Sequence, residues 1–163
     1  MSFSRLYASA LAALLLFGTA HAATVEKRPI PSPGMHKDIP AVVVVPDSYA
    51  KSTAALPVVY LLHGFSGNQE GWLKLAPLGE YADLYQVLIV CLDGAFDSWY
   101  FDIPSDPNCR YETYVSKEAV AFVDQNYRTI QAPKGRAIAG LSMGGHGAMY
   151  LSLRHKDVFG AAG

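Results

Sequence analysis

The sequence has few charged residues, few cysteines and no excess of one charge sign. Of its 163 residues 17% are charged, and 13 Lys+Arg against 14 Asp+Glu give a net charge of -1. This balance provides no electrostatic footprint for nucleic acid or an anionic membrane. Two cysteines are too few for a disulfide scaffold or a four-thiolate zinc site. A hydrophobic content of 51% excludes a disordered chain, and the length suits a single domain.

Residues 1–22 have the three parts of a secretory signal peptide. Arg5 is the only charge before Glu26, an apolar run covers 6–17, and Ala20-His21-Ala22 supplies a small-x-small end. The apolar run is about 12 residues long, whereas a membrane-spanning helix needs roughly 20. We therefore expect cleavage after Ala22, export to the periplasm or the medium, and no membrane span in 23–163. A retained membrane anchor is the alternative.

Export would place Cys91 and Cys109 in an oxidising compartment, where a disulfide between them is allowed. Cys91 lies in the apolar run 87–92, which makes a small buried thiol the simpler interpretation. The pattern favours the buried thiol.

Apolar strands alternate with helical segments along the rest of the chain. Strands are predicted at 24–30, 39–45, 56–62, 87–92 and 137–139, and another begins at 158. Helices are predicted at 71–85, with a weak break at Pro77 and Gly79, at 111–127 and at 143–154. Strands that are apolar on both faces are buried on both faces, and their alternation with helices indicates a parallel sheet with right-handed crossovers. The predicted fold class is α/β, and residues 23–163 are expected to be the N-terminal portion of one domain.

A Gly-x-Ser-x-Gly motif, formed by Gly140, Ser142 and Gly144, joins the strand at 137–139 to the helix at 143–154. Strand, sharp turn and helix are the context that a nucleophile elbow requires. Glycines let the chain turn tightly, and the first N–H groups of the helix can point at a developing oxyanion. Ser142 is therefore a candidate nucleophile. A glycine-rich turn in which the serine has no role is the alternative.

A second glycine-rich loop, His63-Gly64-Phe65-Ser66-Gly67, follows the strand at 56–62. A loop at that place in an α/β-hydrolase donates the other oxyanion N–H, so the backbones of Phe65 and Met143 are the candidate donors. His63 could be taken for the catalytic base. Its place in a strand-end turn before the nucleophile favours a structural residue that braces the loop.

Together these segments resemble the esterase D-like α/β-hydrolases, which include S-formylglutathione hydrolases, tributyrin esterases, feruloyl esterases and mycobacterial mycolyltransferases. The segments that carry the resemblance are 58–64, Asp93-Gly94, Ser98-Trp99-Tyr100, Asp102, 111–115 and 140–145. The resemblance implies an α/β-hydrolase fold, a mostly parallel three-layer sandwich. It also implies Ser142 as nucleophile, Phe65 and Met143 as oxyanion hole, and a substrate pocket near Trp99 and Tyr100.

The triad acid and histidine are expected to be missing from this sequence. In this fold the chain order is Ser, acid, His, and the residues after Ser142 contain only His146, His155 and Asp157 as candidates. His146 lies one turn along the same helix, and His155 lies about 20 Å away at its far end. Neither is expected to activate Ser142. The chain is interpreted as truncated after this helix, and a complete protein that has lost catalysis is the alternative.

The predicted function is that of an exported serine esterase whose full-length form makes an acyl-enzyme on Ser142. The predicted substrates are small acyl, acetyl or feruloyl esters, including carbohydrate-linked ones, and the 163-residue chain itself is expected to be inactive. The alternatives are a non-catalytic exported binding module, an acyltransferase and a peptidase on the same fold.

No cofactor or metal is predicted. The aspartates between 93 and 106 lack the order of a calcium loop, so they are interpreted as solvated or capping groups. Trp72, Trp99 and Tyr100 could stack on a sugar or an aryl acid, or could simply pack.

Overall fold

The structure is a computed structural model that describes residues 22–163. Within these residues the main sheet has six strands, in the order β1-β4-β6-β5-β7-β8. Their bounds are β1 Thr24–Lys27, β4 Ala41–Val45, β5 Val58–Leu62, β6 Leu88–Leu92, β7 Arg136–Gly140 and β8 Ala161–Ala162. A small antiparallel pair, β2 Ile30–Ser32 and β3 Lys37–Ile39, lies between β1 and β4 in the chain.

The sheet is parallel from β6 to β8 and antiparallel at one side. β6 pairs with β5, β5 with β7 and β7 with β8, all in parallel. β1 and β4 pair antiparallel, and so do β4 and β6. The prediction of a mostly parallel sheet is therefore confirmed, with an antiparallel edge that the sequence did not indicate.

Helices cover both faces of the sheet. Their bounds are α1 Gly71–Leu75, α2 Leu78–Tyr85, α3 Tyr111–Thr113, α4 Val120–Asn126 and α5 Met143–Arg154, with a π-helical stretch Tyr114–Ala119 joining α3 to α4. Single 3-10 turns occur at Pro33–Met35, Asp47–Ala50 and Pro133–Gly135.

Alternate residues of the strands serve two separate cores. Val42 and Val44 of β4 pack in a cluster with Leu78 and Ala82 of α2. Val43, the residue between them, belongs to the opposite cluster, which includes side chains of α4 and α5. Because side chains alternate across a strand, both faces of the sheet are buried under helices. The result is the predicted three-layer α/β sandwich.

Prolines account for three of the differences between predicted and observed elements. The predicted helix 71–85 is two helices, because Pro77 forces Ala76 into an extended conformation (φ -148, ψ 150). The predicted strands 24–30 and 39–45 are interrupted at Pro29 and Pro40, which have no N–H to give to a sheet. The segment at 158 begins as a turn, in which the Val158 N–H donates to the His155 carbonyl, and β8 starts only at Ala161.

Cys91 and Cys109 are both buried and unpaired, so the disulfide considered from the sequence does not form here. Burial raises the pKa of the Cys91 thiol to about 12. The predicted signal peptide lies outside the described residues, apart from Ala22. Within 22–163 no helix has the length and apolar character needed to cross a bilayer.

Candidate active site

Ser142 lies in the two-residue turn between the end of β7 and the start of α5. Its backbone has φ 55 and ψ -115, a combination that residues with a side chain rarely adopt. The residue is exposed, while Met143 behind it is fully buried. The turn therefore presents the Ser142 side chain at the carboxyl end of a parallel strand, where ligands bind in open α/β sheets.

Close backbone contact, and not a positive φ, requires the two motif glycines. A Cβ added to Gly140 would lie 2.2 Å from the carbonyl carbon and oxygen of Gly144. A Cβ on Gly144 would lie 2.2 Å from the Leu62 carbonyl oxygen at the end of β5. Gly144 thus lets α5 begin directly against β5, which brings the turn next to the loop that follows that strand.

The loop after β5 lies against Ser142. A Cβ on Gly64 would be 3.4 Å from the Ser142 Cβ and 3.2 Å from the Leu141 carbonyl oxygen. The Leu141 N–H donates to the Leu62 carbonyl at 3.3 Å, which ties the two segments together. The structure thus brings together the predicted site residues Gly64, Ser142 and their neighbours Phe65 and Met143.

Two backbone N–H groups at this junction have no acceptor within residues 22–163. They belong to Phe65, on the loop, and to Met143, the first residue of α5. The first N–H groups of a helix have no partner inside the helix and carry its positive partial charge. This pair is suited to an anionic oxygen, which is what an oxyanion hole must bind.

His63 braces the loop from inside. It is buried, its Nδ1 is 2.8 Å from the Gly64 carbonyl oxygen, and its Nε2 accepts the Gly94 N–H at 2.8 Å. This network assigns the neutral tautomer with the proton on Nδ1, since Nε2 acts as an acceptor. Asp93 lies 3.3 Å from Nε2, but its Oδ1 accepts the Ala95 N–H at 2.7 Å. Both ring nitrogens of His63 are therefore occupied by the backbone.

Tyr100 and Trp99 occupy different environments. Tyr100 is fully buried, donates its hydroxyl hydrogen bond to the His63 carbonyl oxygen at 3.0 Å, and fills the space left by Gly94 and Gly147. Burial holds the pKa of Tyr100 far above its usual range. It therefore presents no surface to a substrate and supports the His63 loop from behind. Trp99 is 44% exposed, so the predicted pocket can use Trp99 alone.

Both histidines that follow Ser142 are held in other contacts. The His146 ring stacks on Tyr150 at 5.7 Å and meets Phe101 at 5.1 Å. His155 Nε2 is 2.9 Å from a carboxylate oxygen of Glu112. Within the described residues, Ser142 Oγ has no hydrogen-bond partner, so no base is placed on it.

Glu112 is the centre of a polar cluster at the far end of α5. Its carboxylate accepts hydrogen bonds from the Tyr150 hydroxyl at 2.7 Å and the Arg154 Nε at 2.8 Å, and pairs with His155. Burial by itself raises the pKa of Glu112, but the hydrogen bonds from Arg154, Tyr150 and His155 together outweigh it and hold that pKa below the usual value. The cluster fastens α5 to α3.

Three of the four aspartates between 93 and 106 accept hydrogen bonds from nearby backbone N–H groups: Asp93, Asp102 and Asp106. Asp102 accepts the Thr113 N–H at 3.0 Å at the start of the long helical segment, and Asp106 accepts the Asn108 N–H at 2.8 Å. Among the described residues no group of three His, Cys, Asp or Glu side chains could hold a metal ion.

An apolar cavity of about 200 Å³ adjoins the loop on the side of α1. It is lined by His63, Gly64, Phe65, Gly67, Gly71, Trp72, Leu75 and Leu141. The Trp72 indole donates to the Leu62 carbonyl at 3.1 Å, so this ring is fixed to the end of β5. Leu141 and Phe65 are each about half exposed at the rim.

Phe96, which packs against Phe65 at the rim, is a residue near the site that the sequence did not indicate. Its ring meets Phe65 edge to face at 4.8 Å, and its carbonyl accepts the Ser66 N–H at 2.8 Å. The available signal was its position just after β6, because the carboxyl ends of neighbouring parallel strands meet at one edge of the sheet.

Comparison with known proteins identifies this site's family. A sequence profile of the Esterase family matches residues 32–163. The chain belongs to the Esterase family. The predicted resemblance to esterases of the α/β-hydrolase type is thereby confirmed.

Relatives of this Esterase-family chain share about a third of its residues over the matched region. Esterase Rv1288 of Mycobacterium tuberculosis is 33% identical over 126 residues, which cover 74% of this chain and 27% of that protein. The acetyl esterase of Caldicellulosiruptor saccharolyticus is 32% identical over 104 residues, covering 64% of this chain and 38% of that protein. A solved ferulic acid esterase has a TM-score of 0.77 at 28% identity and covers 87% of this chain and 59% of its own. The chain thus spans less than two thirds of the length of each.

Proposed function

We propose that this Esterase-family chain supplies the nucleophile and the oxyanion hole of an exported serine carboxylic ester hydrolase. The observation that carries the proposal is that Ser142 is exposed in a strained turn, beside two N–H groups that have no acceptor within the described residues. Strain of this kind persists only where surrounding contacts fix it, and here the Gly140 and Gly144 contacts do so.

In the proposed reaction, Ser142 Oγ attacks the ester carbonyl carbon and the carbonyl oxygen becomes an oxyanion. The N–H groups of Phe65 and Met143 donate to that oxyanion, each contributing about 3 kcal/mol in the transition state. The Ser142 proton passes to a base, which we propose to be a carboxylate-oriented histidine in the remainder of the whole protein. Collapse of the intermediate expels the alcohol, and water then releases the acid from Ser142.

Labelling by a fluorophosphonate probe tests this assignment in the whole protein from its native gene. We expect Ser142→Ala to abolish labelling and to lower ester turnover by a factor of about 10⁴ or more. Ser152→Ala is a matched control, because Ser152 is half-exposed on the same helix and, within residues 22–163, its hydroxyl bonds only the Met149 carbonyl. Labelling that persists in Ser142→Ala would remove Ser142 as the nucleophile.

For the substrate we propose small acyl groups, acetyl or feruloyl, esterified to a carbohydrate. The apolar cavity of about 200 Å³ beside the loop suits a short acyl chain or an aryl acid, and exposed aromatic rings at Phe65, Phe96 and Trp99 suit a sugar face. The names of the acetyl esterase and the ferulic acid esterase agree with this class.

Competing substrates separate the alternatives. We expect acetylated and feruloylated sugars to be cleaved faster than long-chain acyl esters or peptides. Preferential transfer of the acyl group to an added alcohol would instead favour the acyltransferase, and peptide cleavage would favour the peptidase.

A non-catalytic binding module is a second candidate, because no base is placed on Ser142 within residues 22–163. It predicts that the protein from its native host binds acylated sugars with no turnover. Measurable hydrolysis that depends on Ser142 would exclude it.

A further inference from the structure

The first described residues of the chain lie against α2. Ala22 is exposed, whereas Ala23 is half-buried in the cluster with Leu78 and Ala82. A Cβ on Gly79 would lie 3.6 Å from the Ala23 Cβ. β1 begins at Thr24, so the peptide bond between Ala22 and Ala23 lies immediately before the folded part of the chain.

The carboxylate of Asp83, on α2, accepts a hydrogen bond from the Ala23 backbone. The Ala23 N–H donates to Asp83 Oδ2 at 3.0 Å, and the Asp47 N–H donates to Asp83 Oδ1 at 2.7 Å. Within residues 22–163 no Lys, Arg or His side chain pairs with Asp83. Among these residues the half-buried carboxylate therefore has two neutral donors and no cationic partner.

Hydrolysis of the Ala22–Ala23 bond would change the charge of one of those donors. The bond between the Ala22 carbonyl carbon and the Ala23 nitrogen breaks as the hydroxyl group of water adds to that carbon. The leader then ends in a carboxylate. The Ala23 nitrogen takes up the second proton of water and the proton lost by the new carboxyl group, and becomes an α-ammonium group. That nitrogen already lies at hydrogen-bond distance from Asp83 Oδ2. A neutral hydrogen bond thereby becomes a charge-assisted one, which is shorter and stronger.

We propose that a signal peptidase cuts between Ala22 and Ala23 and that the new α-ammonium group pairs with Asp83. The inference rests on the export proposed above and adds to it an anchoring role for the new chain terminus. The small residues Ala20 and Ala22 suit the peptidase, and the exposure of Ala22 leaves the bond accessible. The cut thus gives the chain an ion pair between its new terminus and Asp83.

Intact mass and the N-terminal peptide of the secreted protein from its native host test the cut. An N-terminus at Ala23 is expected. A retained Met1 would overturn both this inference and the proposed export by cleavage. A terminus at another position would leave export standing and overturn the pairing with Asp83.

Urea unfolding of the whole protein tests the pair in four forms: beginning at Ala23 or at Ala22, each with Asp83 or with Asp83→Asn. The retained Ala22 moves the amine one residue away but keeps the Ala23 N–H. With Asp83 present, retaining Ala22 is expected to lower the folding constant about threefold. In the Asp83→Asn background, retaining Ala22 is expected to leave the folding constant unchanged. An equal effect in both backgrounds would overturn the pair.

Acylation of the terminal amine by a succinimidyl ester at pH 7 gives a readout that does not require reversible unfolding. A paired ammonium is protected, so Asp83→Asn is expected to speed labelling of Ala23 about threefold. In a chain that begins at Ala22, the same substitution is expected to leave the labelling rate of the terminal amine unchanged. An unchanged labelling rate at Ala23 would overturn the pair.

Discussion

Gly144 lies where the first turn of α5 touches the end of β5. A methyl group there would come within 2.2 Å of the Leu62 carbonyl oxygen, a backbone atom that cannot turn aside. We expect Gly144→Ala to lower the free energy of unfolding by about 3 kcal/mol, the upper end of overpacking effects, and to displace Ser142. Urea unfolding and fluorophosphonate labelling measure the two effects.

Gly71 provides a matched control for this substitution. It begins α1, and a Cβ added there has no heavy atom within 4 Å. Gly71→Ala is therefore expected to leave the free energy of unfolding close to that of the parent protein. Equal effects of the two substitutions would contradict a steric role for Gly144.

The two thiols are expected to be inert in the folded protein. Burial raises the pKa of Cys91 to about 12, and burial also raises that of Cys109, so little reactive thiolate exists at pH 8. Iodoacetamide is expected to modify neither residue under native conditions and both in urea, as measured by mass. Rapid native labelling, or a mass two hydrogens lower from an oxidised pair, would contradict the buried free thiols.

Some site residues could be predicted from the sequence because glycine and serine rarely occur together in the Gly-x-Ser-x-Gly spacing by chance. Gly140, Ser142 and Gly144 are a motif with a steric requirement, and the loop glycine Gly64 follows a recognisable buried strand. Tyr100 could not be placed, because an aromatic residue is equally suited to a pocket wall and to a core. Trp99 and Tyr100 both have positive φ values, and their rings lie in different environments. Neither residue is a glycine, so the sequence does not predict these backbone conformations.

Among the helices and strands, α5 is fixed at both ends, by the Ser142 turn and by Glu112. The pKa of Glu112 is lowered in the folded state, so its stabilising contribution is present above the ordinary carboxylate value near 4.3. That contribution is lost as the pH falls through the lowered pKa. Glu112→Gln is expected to cost roughly 2 kcal/mol near neutral pH and progressively less in acid. Thermal or urea unfolding between pH 7 and pH 3 measures the difference.

Glu80→Gln is the control for this pH dependence. Glu80 is exposed in the first turn of α2, away from the Glu112 cluster. Its substitution is expected to change stability little at any of these pH values. A difference between Glu112→Gln and the parent that stays constant down to pH 3 would contradict the role of the Glu112 charge.

The bounds of an element were predictable where a local rule decides them. Helix α5 matches its predicted range because a tight turn precedes it. The strands β5 and β6 end where predicted because all their residues are apolar, although they begin two residues and one residue later than predicted. The π-helical stretch Tyr114–Ala119 could not be predicted, because the apolar spacing of one α-helix fits that segment equally well.

On the scale of the whole molecule, the layers were predictable and part of the strand direction was not. Strands that are apolar on both faces require helices on both sides. The antiparallel pairing of β1 with β4 depends on how these two strands are connected. The small β2–β3 pair and the 3-10 turn Pro33–Met35 lie between them, and a parallel arrangement needs a longer crossover, usually a helix.

The strand order also determines when the site can assemble. β5 and β7 are neighbours in the sheet but are far apart in the chain, and the loop at Gly64 meets Ser142 only through that pairing. Contacts between distant segments form late, because a long loop must close first. A chain emerging from the ribosome can therefore pair β4, β5 and β6 before Ser142 has been synthesised. The turn at Ser142 forms only after most of this domain portion has been made.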